Sequence, residues 1–182
     1  MIENIHLWNP DRGTYFDRNV NIISWSDQYR VRLGKYNSIG RDCNFFLHAN
    51  HRVDWITTSS QLQGPVTPEI AELHMSMGHP SCKGDILIQN DVWVGAKSTI
   101  MSGVTIGNGS VIGANTTVSK DVPPYAIMVG NPGKIIKYRF DEDQIKDLLD
   151  IAWWDWNESK IKEESMLLWS RDINYFIKRH KK

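Results

Sequence analysis

Two cysteines in 182 residues, Cys43 and Cys82, are too few for a disulfide framework and stand at no metal-ligand spacing. No apolar run approaches the roughly 20 residues that cross a bilayer, so the membrane is not an expected partner. Excess charge is missing too: 21 Lys and Arg balance 21 Asp and Glu. Without a global positive field, neither a nucleic acid nor an acidic membrane surface is an expected partner. The basic run Lys178-Arg179-His180-Lys181-Lys182 reads as a solvated end. The opening Met1-Ile2-Glu3-Asn4 lacks the basic-then-apolar order of a secretion signal, and a reduced, cytoplasmic setting is the expectation. The length suits one domain with a sizeable core.

What the chain does have is a period. An aliphatic residue recurs at Ile88, Val94, Ile100, Ile106, Ile112 and Val118, and four positions after each stands a small or β-branched residue: Val92, Ser98, Val104, Ser110, Thr116 and Val122. The same two columns run earlier through Leu33, Ile39 and Phe45, with Asn37, Cys43 and Ala49 in the small slot. Gly follows the aliphatic residue at 34, 40, 95, 107 and 113. A step of six does not suit an α-helix, in which successive members would lie about 240° apart. It is a multiple of the strand period, yet Gly and polar residues interrupt any long strand. Short strands joined by corners satisfy both facts, and three units close a triangular coil of about 18 residues with the aliphatic column inside. Residues 33–50, 88–105 and 106–123 are then full coils, with a degenerate coil expected at 19–32 and a fragment at 124–136. The small slot is read as the corner, and the adjacent Gly as backbone relief. About three repeats is near the minimum for a solenoid, so a partner subunit is expected on one flank.

Phe45 and Ile88 stand 43 positions apart, which is not a multiple of six, so the repeat is interrupted over 51–84. An excursion this long is usually functional, and its Trp55, Leu62, Ile70, Leu73 and Met75 are expected to pack on something. Beyond Pro123-Pro124 the period changes to a helical one. Asp141 is placed as an N-cap with Gln144 three residues on, before Ile145, Leu148, Leu149, Ala152 and Trp153. Further helices are expected over 159–168 and 172–179. Trp153, Trp154, Trp156 and Trp169 are read as packing of a helical cap on the coil ends or on a neighbour. The expected division is a coil domain over 1–136 and a helical extension over 137–182.

The hexapeptide runs, together with Asn50-His51-Arg52-Val53-Asp54-Trp55, Asn90-Asp91-Val92-Trp93-Val94-Gly95 and Val129-Gly130-Asn131-Pro132-Gly133-Lys134, resemble the hexapeptide-repeat acyltransferases. The branch most similar is that of the xenobiotic (CatB-type) acetyltransferases, which share the Ile-x-Trp-Trp-x-Trp element seen at Ile151 to Trp156. The resemblance covers about residues 33–158. It implies a mainly β fold, a left-handed parallel β-helix with a long loop excursion and a C-terminal helical segment. It also implies a homotrimer with active sites between subunits, acetyl-CoA or another short acyl-CoA as donor without a metal, and a hydroxyl or amine as acceptor.

Such a transfer needs a base, and imidazole, with a reference pKa near 6.5, suits that task. The motif match implies that this base is His51, with its other ring nitrogen held by a backbone carbonyl or by Asp54. Asn50 and Asp54 would support it, and Trp93 would wall the acetyl or acceptor pocket or else pack between coils. For the donor, the resemblance implies a face along Ser102, Gly113, Ala114 and Gly130, whose small residues let a pantetheine arm lie close. Lys120, Lys134, Lys137 and Arg139 are the cations available to its phosphates, with Lys120 and Lys134 matching the family best.

Two rival readings remain. His74 and His79 are spaced five apart like a pair in the zinc-binding γ-class carbonic anhydrases, although there the ligands sit on the coils; lining of the loop is the plainer role. His6, His48 and His180 sit in no motif. A scaffold without catalysis is the other rival. For the acceptor, Asp54-Trp55 is followed by Ile56-Thr57-Thr58-Ser59-Ser60, without the Pro-Phe common in xenobiotic members. That favours a sugar or sugar nucleotide, with a chloramphenicol- or streptogramin-type antibiotic as the alternative.

Overall fold

The computed structural model describes residues 11–62 and 64–181. Met1 to Asn4, His6 and Lys182 lie outside the described residues. The first coil is β1 (Tyr15–Phe16), β2 (Asn21–Ile23) and β3 (Val31–Leu33); the second is β4 (Ser38–Ile39), β5 (Asn44–Phe46) and, after the excursion, β6 (Ile86–Ile88). A third follows as β7 (Trp93–Val94), β8 (Thr99–Met101) and β9 (Thr105–Ile106). The fourth is β10 (Val111–Ile112), β11 (Thr117–Val118) and a bridge from Val122 to Ile106. Then β12 (Ala126–Val129) adds one more parallel strand, and β13 (Lys134–Tyr138) folds back antiparallel on it.

The prism has three faces, with strand orders β1-β4-β7-β10-β12-β13, β2-β5-β8-β11 and β3-β6-β9. The register stacks the aliphatic columns predicted from the period. Phe16, Ile39, Val94, Ile112 and Met128 lie in one ladder, Ile22, Phe45, Ile100 and Val118 in the next, and Leu33, Ile88 and Ile106 in the third. Apart from Phe16 and Ile22, which pack half-buried at its end, these side chains are buried in one core. Each contributes about 1.5–3 kcal/mol by leaving water.

Three expectations need correction. The degenerate coil begins at Tyr15 rather than 19, because β1 pairs with β4, and strand pairing runs to Tyr138, past 136. The glycines beside the strands do not relieve backbone strain. A Cβ on Gly40 would sit 2.7 Å from the Ala96 nitrogen, and one on Gly95 would sit 2.6 Å from the Ala114 nitrogen, so the next coil leaves no room. The left-handed residues fall two positions later, at Tyr36, Asp42, Asp91, Lys97, Gly103, Gly109 and Asn115. The small slots are buried inside: Ser98 Oγ, fully enclosed, donates to the Gly95 carbonyl at 2.7 Å.

The excursion leaves through a neck at which Asn50 and Ser81 exchange backbone hydrogen bonds. Within it, Thr67 caps α1 (Pro68–Ser76), which buries no residue. Leu62, Leu73 and Met75 are exposed in the single chain, whereas Trp55 and Ile70 are half-buried.

After the prism come α2 (Glu142–Ile151), a single 3-10 turn (Trp153–Asp155), α3 (Glu158–Leu168) and α4 (Ile173–His180). Asp141 and Gln144 form the reciprocal capping box at the start of α2. Leu148, Phe176 and Ile177 gather around Tyr125 of the last coil, so the helices close the end of the prism. The tryptophan element grips its side: the Trp153 ring lies 5.0 Å from Tyr36, Arg12 donates to the Trp156 carbonyl, and Lys35 pairs with Asp155 at 2.8 Å. Trp169 is 81% exposed in the single chain.

Candidate active site

The neck of the excursion is pinned to the third coil. Ser102 is buried, and its Oγ accepts from the Lys83 N–H at 3.2 Å and from Asn50 Nδ2 at 3.5 Å. His51 is the first residue beyond that anchor, with its side chain exposed. Its Nδ1 lies 2.6 Å from the Thr58 carbonyl oxygen. A carbonyl can only accept, so Nδ1 carries the proton and Nε2 is left as a lone-pair acceptor.

Of the two expected partners for that ring, the carbonyl is the one present. Asp54 instead receives both Nε (2.6 Å) and Nη2 of Arg52, and the guanidinium holds its carboxyl below the ordinary value. A charge-assisted fork outcompetes a neutral imidazole for the same carboxylate. The reading in which Asp54 satisfies the loop histidine is therefore corrected.

A second imidazole faces His51. His79 is 6% exposed, and its ring centroid lies 4.8 Å from that of His51 with the planes at 87°. Trp55 stacks on the other side of this contact, 5.2 Å from His79, and His74 closes the cluster at 5.5 Å. Burial, then the positive charges of His51, His74, Arg52 and His48, push the His79 pKa down. His48 is also buried, and its pKa is lowered by burial against the opposing hydrogen bond to the Pro80 backbone. Among the described residues no group of three or more His, Cys, Asp or Glu is arranged to hold a metal ion.

The other residues named from the sequence fare differently. Trp93 stands on the face formed by β4, β7 and β10, 56% exposed, beside a hollow of about 370 Å³ shared with Tyr36, Asp91 and Arg139. That hollow includes no residue of the excursion. Gly113 is closed over: the Val129 side chain would lie 2.8 Å from a Cβ there, and its N–H donates to Met128. Gly130, at φ +96°, donates to Thr116 Oγ1 and accepts from Thr117, so its backbone groups are spent on the coil. Of the four residues, Ala114 and Gly130 are exposed, Gly113 is half-buried and Ser102 is buried in the single chain. Lys120, Lys134 and Lys137 are exposed. Arg139 is engaged within the chain: its Nη1 donates to the Gly109 carbonyl at 2.7 Å and pairs with Asp91 at 3.2 Å, and the guanidinium lies over the Tyr125 and Phe140 rings.

Sequence reasoning gave His79 only a lining role and did not single out Thr58. The first stands before a proline on the returning side of the excursion, far in sequence from His51, and the second acts through its backbone, which leaves no trace in residue type.

The profile of the family described as "Bacterial transferase hexapeptide (six repeats)" matches residues 85–120. A chloramphenicol acetyltransferase from Agrobacterium fabrum is 40% identical over 79% of this chain and 68% of its own length. A probable macrolide acetyltransferase from Lysinibacillus sphaericus is 43% identical over 78% of each chain. A hexapeptide-repeat-containing acetyltransferase from Vibrio cholerae, solved by crystallography, superposes with a TM-score of 0.53 at 28% identity. That superposition covers 71% of this chain and 61% of the other, so the chain spans about three-fifths of that relative. With this likeness the coil is a left-handed parallel β-helix, opposite to the usual hand of parallel connections.

Proposed function

Because this chain belongs to the hexapeptide-repeat acetyltransferases, we propose that it transfers the acetyl group of acetyl-CoA to a hydroxyl of a small organic acceptor, with His51 as general base. The observation that carries this reading is the His51 ring, tied through Nδ1 to the Thr58 carbonyl and bare at Nε2, at the exposed root of the excursion. The acceptor hydroxyl gives its proton to Nε2 as its oxygen attacks the thioester carbon. The tetrahedral intermediate then expels the thiolate, which takes that proton back from the imidazolium. No acyl-enzyme is needed, since two bound substrates react by proximity.

The donor's phosphates are assigned to Lys120 and Lys134. Replacing either by Ala is expected to raise KM for acetyl-CoA about tenfold with kcat little changed, the loss of roughly one charge-assisted contact. The assembly is proposed to be a homotrimer, because Val53, Ile56, Leu62, Leu73 and Met77 expose apolar surface that a second copy would cover.

A xenobiotic acceptor is favoured, since the relatives 40% and 43% identical are named for chloramphenicol and macrolide substrates. A sugar acceptor is the second reading, supported by the hydroxylic run Thr57-Thr58-Ser59-Ser60, which replaces the Pro-Phe of many xenobiotic members. Thiol release from acetyl-CoA against chloramphenicol, a macrolide, a streptogramin, amino sugars and sugar nucleotides separates the two. Saturable turnover with the antibiotics alone is the expected result; turnover confined to the sugars would reverse the preference, and no release with any acceptor would remove the proposal.

A further inference from the structure

We infer that His79 is a positioning residue for His51, its ring forming a perpendicular wall that holds the base in one orientation. The inference rests on the reading of His51 as base and concerns what keeps that base aimed. The backbone attachment and the Thr58 carbonyl at 2.6 Å hold the His51 ring at Cβ and at Nδ1, and the freedom that remains is tilt through the side-chain torsions. A second contact is needed to limit that tilt, and His79 supplies it at 4.8 Å and 87°. The two rings come from opposite sides of the neck. His51 follows Asn50 on the departing side, while His79 precedes Ser81 on the returning side, and Asn50 and Ser81 are bonded to each other.

His79 is itself immobilised. Its backbone N–H donates to the His74 carbonyl at 2.8 Å, its ring Nδ1 accepts from the Arg52 backbone N–H at 3.4 Å, and Trp55 stacks on the ring at 5.2 Å and 28°. With Nδ1 accepting, the neutral ring carries its proton on Nε2. The charged and titratable groups around it are His51, His74, His48 and Arg52, the last paired with Asp54. All four place positive charge near His79 when protonated, and burial adds to their effect, so the ring stays neutral. This matters for turnover: His51 becomes an imidazolium at the moment of attack, and a neutral aromatic neighbour tolerates that cation, whereas a charged one would repel it.

The test compares His79→Gln and His79→Phe in the full-length protein by thiol release, with His51→Ala in parallel. His79→Gln is expected to lower kcat by about tenfold or more, with KM for acetyl-CoA within about twofold and the acid limb of the kcat/KM profile displaced. His79→Phe keeps the wall without a titrating group and is expected to retain the rate within about threefold. If His79→Gln does not fold, Trp55→Ala, which removes the backing ring, takes its place; its loss should be recovered in Trp55→Phe. Wild-type kcat and pH profile in His79→Gln, or equal losses in the Gln and Phe variants with an undisplaced profile, would overturn the inference. If His51→Ala kept full turnover, the base assignment itself would fail; loss in His51→Ala beside an indifferent His79→Gln would sink only the positioning role.

Discussion

An imidazole with one nitrogen tied to a carbonyl can take a proton only through the other, so the geometry of His51 reduces its chemistry to Nε2. Removing it in His51→Ala is expected to lower kcat by about 10²–10⁴ while KM for acetyl-CoA changes little, read from steady-state thiol release. The residue was legible because Asn50-His51-Arg52-Val53-Asp54 stands at the break in the period. Its orientation was not, for two physical reasons. The partner is a backbone oxygen seven residues away, which any side chain at 58 could present. Asp54, the partner that sequence did offer, is captured by Arg52 two residues before it, because two opposite charges within reach bind more strongly than a charge and a neutral ring. Arg139 shows the same limit: its composition says cation, but its contacts with Asp91, Gly109 and two aromatic rings make it a structural clamp.

At the level of elements, the coil was readable because its core positions repeat by type and its corners do not. The columns of Ile and Val announce themselves every six residues, whereas the left-handed corner positions mix Asp42, Asp91, Asn115, Gly103 and Gly109, which tolerate that backbone, with Tyr36 and Lys97, which give no sign of it. The glycines misled for the same reason: they answer to the neighbouring coil rather than to their own backbone angles. Gly95→Ala is therefore expected to force backbone apart, costing about 1–3 kcal/mol and lowering Tm by about 2–10 °C. Lys97→Gly, at φ +61°, is expected to leave Tm unchanged or slightly raised. Relief of left-handed strain, about 1–2 kcal/mol, outweighs or matches the entropy cost of Gly, about 0.5–1 kcal/mol. Calorimetry on the two variants checks both. The neck adds a pH dependence. His48 and His79 both have pKa values depressed below 6.5, so the unfolded chain binds protons that the folded chain refuses once the pH falls past 6.5. Their stabilisation is present above that value and is lost as the pH falls through the depressed values. Tm is expected to hold from pH 8 to 7 and to fall between about 6.5 and 5, before the carboxylates begin to protonate near pH 4.

In the whole molecule, a prism core and a helical core meet at Tyr125, and the excursion projects from the prism with α1 unburied. An apolar surface of that kind on a chain with equal numbers of acidic and basic residues gives self-association no electrostatic opposition. Light scattering is expected to give a particle about three times the 21.0 kDa chain, the smallest ring that closes a repeated heterologous contact without a two-fold axis. A monomer at micromolar concentration would leave the excursion uncovered and contradict that assembly. The legible and illegible parts divide here as well, since a period within one chain predicts its own stacking but says nothing of which face a neighbour covers; Trp93, exposed on its sheet, is the residue left without an account in the isolated chain. The most direct test of the central claim is the rate of coenzyme A release from acetyl-CoA, measured side by side for the wild type and His51→Ala with an acceptor that saturates the wild type. The account predicts acceptor-dependent release in the wild type that falls by two or more orders of magnitude in the variant; equal rates in the two proteins would contradict it.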